Sequence, residues 1–221
     1  NLRKSGIIAI NLDEGDELVF VMRTEGTSNI VLATRDGMAT RFDERNVRKM
    51  GRVARGVRGI KLREGDYVVG VAVVDESKKL LTITENGFGK RCEFSELREM
   101  KNRGGYGVRI HKLSEKTGQL TGVAVVDEDS DIMLITDQGQ MIRVHASDVS
   151  VYSRTAGGVI IMRLSDSQHV VNLTKVAKDE PEDEVAPASE SLEAEELEVT
   201  EAIEEAEEIA QEAEELENTE E

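Results

Sequence analysis

Arginine recurs in this sequence at a spacing that could place a row of positive charges along one surface. Arg52, Arg103 and Arg154 lie 51 residues apart, each in a segment that contains glycine. A guanidinium group binds phosphate oxygens through paired hydrogen bonds, and glycine lets another backbone approach closely. The spacing therefore predicts binding to a polyanion with regularly placed phosphates, with duplex DNA as the first candidate. We call these the basic segments: residues 50–56, 101–107 and 152–158.

Further basic residues surround these three positions and complete the set of candidate phosphate-binding side chains. A second recurrence, Arg41, Arg91 and Arg143, lies in the predicted strand before each basic segment. Apart from Tyr106, aromatic residues for stacking on single-stranded bases are not interleaved with the basic residues. This favours contact with the DNA backbone over base reading. The candidate DNA-binding residues are Arg41, Arg48, Lys49, Arg52, Arg55, Arg58, Lys90, Arg91, Arg98, Lys101, Arg103, Arg109, Arg143 and Arg154.

The other reactive residues do not form a catalytic or metal-binding pattern. His111, His145 and His169 fall in different parts of the sequence, with no Cys or His at ligand spacing. The RGGYG run at 103–107 lacks the Lys-Ser/Thr pair of a phosphate-binding P-loop. Cys92 is the single cysteine, so an intrachain disulfide is excluded, and we expect it to face the core. The sequence predicts no catalytic residue, metal site or cofactor in this chain.

The elements that must position the arginines come from a repeat of about fifty residues. The phrases GIIAINL, GVRGIKL, GVRIHKL and GVIIMRL end at Leu12, Leu62, Leu113 and Leu164. Between them lie short runs rich in Val, Ile, Leu and Thr, separated by Gly, Asp and Asn, a pattern typical of strands and turns. Four predicted strands in each unit match the size and strand count of a propeller blade.

The repeat predicts an all-β fold, a propeller-like ring with three full blades and one partial blade. Asp36-Gly37 and Asn86-Gly87 predict tight two-residue hairpin turns, because a primed turn needs positive φ. The fourth unit begins at Gly158 and stops after two predicted strands, near Val176. Because the sequence also starts at Asn1 rather than Met, we expect it to be a fragment of a larger protein.

Charge divides the sequence into two parts, residues 1–177 and 178–221. Residues 178–221 contain 21 acidic residues and one basic residue, a balance of −20, whereas the rest has 24 acidic and 27 basic residues, a balance of +3. The acidic tail has no aromatic residue and cannot offset its ordering entropy, so we expect disorder. Apolar residues from Val199 to Ala213 also fall at helical spacing, which leaves a helix as the alternative. Neither part has an apolar run that could span a membrane.

Four phrases of the sequence resemble the C-terminal domain of DNA gyrase A: GIIAINLDEGDELV, GVRGIKLREGD, ITENGFGKR and MLITDQG. The similarity extends over residues 1–177. It implies a β-pinwheel, a propeller-like ring whose neighbouring blades exchange strands and whose basic rim wraps DNA. It also implies partners, namely the rest of gyrase A and the gyrase B protein in a heterotetramer that uses ATP and Mg²⁺ for negative supercoiling. Such an enzyme is expected in the bacterial cytoplasm, associated with the nucleoid.

The resemblance also identifies partial copies of a family motif within the basic segments. The family's wrapping box reads Q-R-R-G-G-R-G, and the sequence is expected to begin after it. KNRGGYG at 101–107 keeps Arg103 and three glycines, and MGRVARG at 50–56 keeps Arg52, Arg55 and Gly56. Two alternatives stay open: the corresponding polypeptide of topoisomerase IV, and a propeller that serves as a protein-interaction scaffold.

Overall fold

In the computed structural model, eleven strands and three short 3₁₀ turns form the regular structure of the described residues, 7–165 and 167–176. The predicted tail and its boundary at residue 177 lie outside the described residues. The 3₁₀ turns are Glu44–Asn46, Phe94–Glu96 and Ala146–Asp148. The strands are β1 Asn29–Thr34, β2 Met38–Asp43, β3 Val68–Val73, β4 Lys79–Thr84, β5 Phe88–Glu93, β6 Val108–Arg109, β7 Leu120–Val126, β8 Asp131–Thr136, β9 Met141–His145, β10 Val159–Ile160 and β11 Val170–Val176.

Each of the three sheets combines strands from successive repeat units. The hairpins β1–β2 and β4–β5 form the centres of two sheets, and the hairpin β8–β9 contributes the central strand and one edge strand of the third. The first strand of each hairpin pairs with the long strand of the following unit, which is β3, β7 or β11. The second strand of the first two hairpins pairs with a two-residue strand from the unit after that, β6 or β10. This exchange confirms the predicted all-β, propeller-like fold class and gives two four-stranded sheets and one three-stranded sheet.

Strand exchange explains why three predicted strands do not form. The apolar run at 17–22 is extended without a strand partner, and Leu18, Val19 and Val21 are exposed. Its counterparts β3, β7 and β11 all pair with the hairpin one unit earlier, and no described hairpin precedes residue 17. The short strands predicted in the phrases that end at Leu12 and Leu62 likewise lack a described hairpin two units earlier.

The hairpin turns differ from the two-residue turns that the sequence predicted. Residues 35–37 connect β1 to β2, and the Gly37 amide donates to the Thr34 carbonyl over 2.9 Å. Gly37 has φ of 73°, whereas Asp36 does not adopt positive φ. A type I turn followed by a left-handed glycine makes a three-residue hairpin, and the same pattern repeats at Gly87 and Gly139.

Two apolar clusters between the sheets form the core of residues 7–165 and 167–176. The first contains Val31, Leu80, Phe94, Leu97 and Ile110, together with Cys92, which faces the core as expected. The second is centred on side chains from the next sheet and its neighbour, among them Leu81, Ile132, Leu134, Val149 and Met162. Burial raises the pKa of the Cys92 thiol to about 11, so the thiol is protonated at neutral pH.

Glycine permits the close crossing that brings each basic segment to its sheet. Gly107 has φ of 73°, and a Cβ atom there would lie 2.2 Å from the Ala39 carbonyl oxygen. Gly158 has the same conformation against the Gly89 carbonyl oxygen, at 2.4 Å. A side chain at either position would push the short strand β6 or β10 off its hairpin. These glycines therefore fix where the basic segments leave the sheet.

Candidate nucleic-acid interface

The recurrent arginines of the basic segments hold neighbouring backbone in place. Arg103 donates from Nε to the Asn46 carbonyl over 3.1 Å and from Nη1 to the Arg58 carbonyl over 2.8 Å. Arg154 donates from Nη1 to the Arg109 carbonyl over 2.8 Å. The donors and their acceptors are each 51 residues apart, so the same contact repeats in two units. Arg103 and Arg154 are half-buried, and they position the exposed side chains of Arg58 and Arg109.

The arginines of the second recurrence are mainly structural. Arg41 donates to the Phe94 carbonyl over 2.9 Å and pairs with Glu76. Arg91 donates to the Val149 carbonyl and to Glu128, each over 2.7 Å, and its side chain is 5% exposed. Both guanidinium groups hold a 3₁₀ turn of the following unit and are neutralised by a glutamate.

Burial corrects the prediction that Arg41, Lys90 and Arg91 face DNA phosphates. Lys90 is completely buried, and its Nζ donates to the Ser153 carbonyl over 2.6 Å. These residues lie in the strand before each basic segment, as predicted, but the following unit packs against them. Arg143 differs, because its side chain is 57% exposed and pairs only with Asp131 among the described residues.

The remaining predicted residues leave their cationic groups near the surface. Arg55 pairs with Asp13 over 2.6 Å, and both side chains are exposed. Arg55, Arg58 and Asp13 line one surface depression of about 650 Å³. The other exposed members of the predicted set are Arg48, Lys49, Arg52, Arg98, Lys101 and Arg109.

A third row of cations was missed by the sequence prediction. Lys61, Lys112 and Arg163 each precede the recurrent leucine, again 51 residues apart, and each is exposed. The Lys61 amide donates to the Gly105 carbonyl over 2.8 Å, and the Lys112 amide donates to the Ala156 carbonyl over 3.1 Å. These bonds place the third row directly beside the basic segments. The equal spacing of these three residues in the sequence could have revealed the third row.

Tyr106 lies within this arrangement and contacts two cations. The Lys61 Nζ is 4.7 Å from the centre of the Tyr106 ring, and the Arg63 Cζ is 5.7 Å from it. Both distances allow cation–π attraction, which holds each cation near the ring without neutralising it. The pair Lys61 and Arg63 was absent from the predicted set.

A buried polar cluster contacts the third basic segment. The His111 ring lies 2.9 Å from the Thr82 hydroxyl through Nδ1 and 3.1 Å from the Gly157 carbonyl through Nε2. Burial, reinforced by the nearby Lys90 charge, lowers the pKa of His111 to about 4. Burial also lowers the pKa of Lys90 to about 8. His111 is therefore neutral at neutral pH, and the cluster fixes the loop that carries Arg154.

A sequence-family model described as the DNA gyrase C-terminal domain, beta-propeller, matches residues 1–25, 28–75, 78–127 and 130–177. The chain belongs to this family. Each of the last three matches begins at a hairpin and ends after the long strand of the following unit. The matches confirm the resemblance to the gyrase A domain.

Relatives and solved structures support the assignment to the gyrase family. The chain is 42% identical to the DNA gyrase A protein of Aminobacterium colombiense over 83% of its own length and 22% of the relative's. It is 41% identical to the DNA gyrase A protein of Staphylococcus epidermidis over 81% of its length and 20% of the relative's. The chain thus spans about a fifth of these proteins.

Two solved structures share the gyrase-domain fold with the chain. A DNA gyrase A C-terminal domain superposes with a TM-score of 0.69 at 32% identity, covering 79% of this chain and 59% of that one. A topoisomerase IV C-terminal domain superposes with a TM-score of 0.74 at 27% identity, covering 80% and 55%. The family and the named relatives favour the gyrase interpretation over topoisomerase IV.

The described residues of this gyrase-family domain contain neither a metal-ion cluster nor a membrane-spanning helix. Among residues 7–165 and 167–176, no three His, Cys, Asp or Glu side chains cluster in a way that could hold a metal ion. In the same residues, no helix is long and apolar enough to cross a membrane. The surface of the basic segments instead offers guanidinium and ammonium groups at repeated positions.

Proposed function

We propose that the chain binds duplex DNA through phosphate contacts along the basic segments. The observation that carries this proposal is the repeated hydrogen bond from Arg103 to Arg58 and from Arg154 to Arg109. It places exposed cations at the same point of successive units. A row of cations at repeated positions suits duplex DNA, because phosphates recur regularly along the double helix.

In the complete protein, this binding would serve a type IIA topoisomerase. The relatives are named as the A polypeptide of DNA gyrase. The chain would wrap a DNA segment as the C-terminal part of gyrase A, in a heterotetramer with gyrase B. Wrapping would support ATP-dependent negative supercoiling in the bacterial cytoplasm, at the nucleoid. ATP and Mg²⁺ would act in other parts of that enzyme, since this chain contributes DNA binding.

The exposed apolar residues do not favour the alternative of a protein-interaction scaffold. Several of them, including Leu18, Val19 and Val21, lie in the run at 17–22 that has no strand partner among the described residues. Their exposure follows from the strand-exchange pattern, which requires a hairpin one unit earlier. DNA binding therefore remains the function with direct support from the geometry.

Salt dependence of duplex binding by the 221-residue chain tests the proposal. Each phosphate contact adds about −0.9 to the slope of log affinity against log salt, so we expect a slope steeper than about −3 and little preference for sequence. Replacing Arg58 and Arg109 with Ala should lower the slope by about 1.8 for all sequences alike. Arg58 and Arg109 are better targets for substitution than Arg103. After replacement by Ala, the backbone carbonyls at 58 and 109 still accept the hydrogen bonds from Arg103 and Arg154. A nearly flat slope for the unmodified chain would refute the proposal.

A further inference from the structure

We propose that Lys61, Arg63 and Tyr106 form a phosphate-binding site for duplex DNA, in which the tyrosine ring holds both cations toward the DNA backbone. This inference rests on the proposed DNA binding and adds three residues to it. The two cations lie within 5.7 Å of the ring centre, and Tyr106 is 46% exposed. Because a ring carries no net charge, both cations keep their full charge for a phosphate.

The backbone on both sides of the site is fixed before any ligand arrives. The Lys61 amide donates to the Gly105 carbonyl over 2.8 Å, and the Gly104 amide donates to the Gly59 carbonyl over 2.7 Å. Arg103 adds its hydrogen bond to the Arg58 carbonyl. These contacts hold the Tyr106 segment against the Lys61 segment. Less side-chain and loop entropy is then lost when DNA binds.

In the first repeat unit, a different pair of residues makes contact at the positions equivalent to Tyr106 and Arg63. Tyr106 corresponds to Arg55, and Arg63 corresponds to Asp13. Arg55 and Asp13 form an ion pair of 2.6 Å, which compensates the cation of the loop. In the second unit an aromatic ring replaces the loop cation and an arginine replaces the carboxylate. The same contact is kept, but Arg63 and the neighbouring Lys61 form no ion pair with any residue that the structure describes, whereas Arg55 and Asp13 form a neutral pair.

Two cations beside one ring suit the phosphates of a duplex better than a stacked base. Lys61 already lies over the Tyr106 ring at 4.7 Å, and Arg63 approaches the same ring. A base would have to displace these cations to stack on the faces they approach. A phosphate can bind the outward side of each cation while the ring stays in place.

The test compares duplex binding by the full chain with that of the Lys61→Ala/Arg63→Ala variant. We expect the variant to bind duplex DNA on the order of tenfold more weakly at about 50 mM salt, with a slope lower by about 1.8. The control is Lys78→Ala/Lys116→Ala, which removes two charges from other turns and should change affinity less than about twofold. Equal losses in the variant and the control would overturn the inference.

Variants of the ring separate its role from that of charge. Tyr106→Phe keeps the ring and should leave affinity unchanged, whereas Tyr106→Ala should weaken duplex binding about two- to fivefold. A loss confined to single-stranded DNA in Tyr106→Ala would indicate base stacking and overturn the inference. These outcomes differ from failure of the proposed function, in which the unmodified chain itself would bind duplex DNA without steep salt dependence.

Discussion

Arg41 and Arg91, at equivalent repeat positions, share a structural role, whereas the equivalent Arg143 is exposed. Arg41 and Arg91 direct their hydrogen bonds to carbonyls and glutamates inside the protein. Arg58 and Arg109 are exposed and contribute a backbone carbonyl to the structure while their guanidinium groups face solvent. A largely covered guanidinium that already donates to a carbonyl and pairs with a glutamate is poorly placed to bind phosphate. Burial therefore divides the basic residues into structural and ligand-facing groups.

The sequence could predict which cations are equivalent, but it could not predict which of them are covered. The interval of 51 residues correctly groups Arg103 with Arg154, and they make the same contact. The interval does not indicate that the loop containing Ser153 packs over Lys90. That contact joins residues 63 positions apart, through strand exchange between units. Long-range packing of this kind decides exposure and is not encoded in local spacing.

At the residue scale, replacing Asp13 with Asn should strengthen DNA binding. The Asp13 carboxylate holds Arg55 in an exposed ion pair of 2.6 Å. Such pairs contribute only about 0.2–1 kcal/mol, so folding should be nearly unaffected when the pair is lost. The freed guanidinium can then bind a phosphate and make the salt slope steeper by up to about one. Fluorescence anisotropy with a labelled duplex at several salt concentrations measures both changes.

The double variant Asp13→Asn/Arg55→Ala is the control for this prediction. If Asp13 acts by holding Arg55, the gain in affinity should disappear when Arg55 is also removed. A gain that persists in the double variant would mean that Asp13 repels DNA directly. In that case the ion pair has no role in tuning the basic segment.

At the scale of elements, the repeat predicted the strands of the hairpins but not the partners of the other strands. Short runs rich in Val, Ile, Leu and Thr, together with Gly-containing turns, identified β1–β2, β4–β5 and β8–β9. The long strand of each unit pairs one unit back and the short strand pairs two units back. Identical repeat units offer several possible partners with the same pattern. Only the three-dimensional arrangement selects among these possible partners. For this reason the sequence predicted a strand at 17–22, whereas in the structure this run has no strand partner among the described residues.

Stability of the third basic segment should depend on pH through His111. Its pKa is lowered to about 4 by burial, against an ordinary value of 6.5. As pH falls below 6.5, the unfolded chain binds a proton that the folded chain does not bind, so the free energy of unfolding decreases. We expect a loss of about 2 kcal/mol between about pH 7 and pH 5. Urea unfolding at a series of pH values measures it.

His111→Met is the matched variant, because buried apolar residues stand at the equivalent positions Ile60 and Met162. The pH dependence between about pH 7 and pH 5 should become nearly flat in this variant. The carboxylates with lowered pKa values of about 2, Asp43 and Asp75, affect stability only at lower pH. An unchanged pH profile in His111→Met would show that other groups cause the dependence.

At the scale of the whole molecule, a nearly neutral body is joined to a strongly acidic tail. Residues 1–177 have a balance of +3, and residues 178–221 have a balance of −20. The positive charges of the body are concentrated at repeated positions, so the average understates the local attraction for a polyanion. The tail is itself a polyanion, held by the chain at high effective concentration. Its carboxylates can therefore compete with DNA phosphates for the same cations.

Deleting residues 178–221 should tighten duplex binding, and the gain should be largest at low salt. Screening lengths shrink from roughly 14 Å at about 50 mM salt to less than about 6 Å at about 300 mM, so competition by the tail should fade over this range. In a second variant, the tail keeps its length and every Glu in it is replaced by Gln. If tail charge weakens DNA binding, this variant should bind duplex DNA as tightly as the deletion variant. Affinity that rises only in the deletion variant would indicate steric blocking, and affinity that rises in neither would leave the tail without influence on DNA binding. If the tail competes for the cations themselves, deleting it should tighten duplex binding less in the Lys61→Ala/Arg63→Ala variant than in the unmodified chain. Such a result would link the charge of the tail to individual residues of the proposed phosphate site.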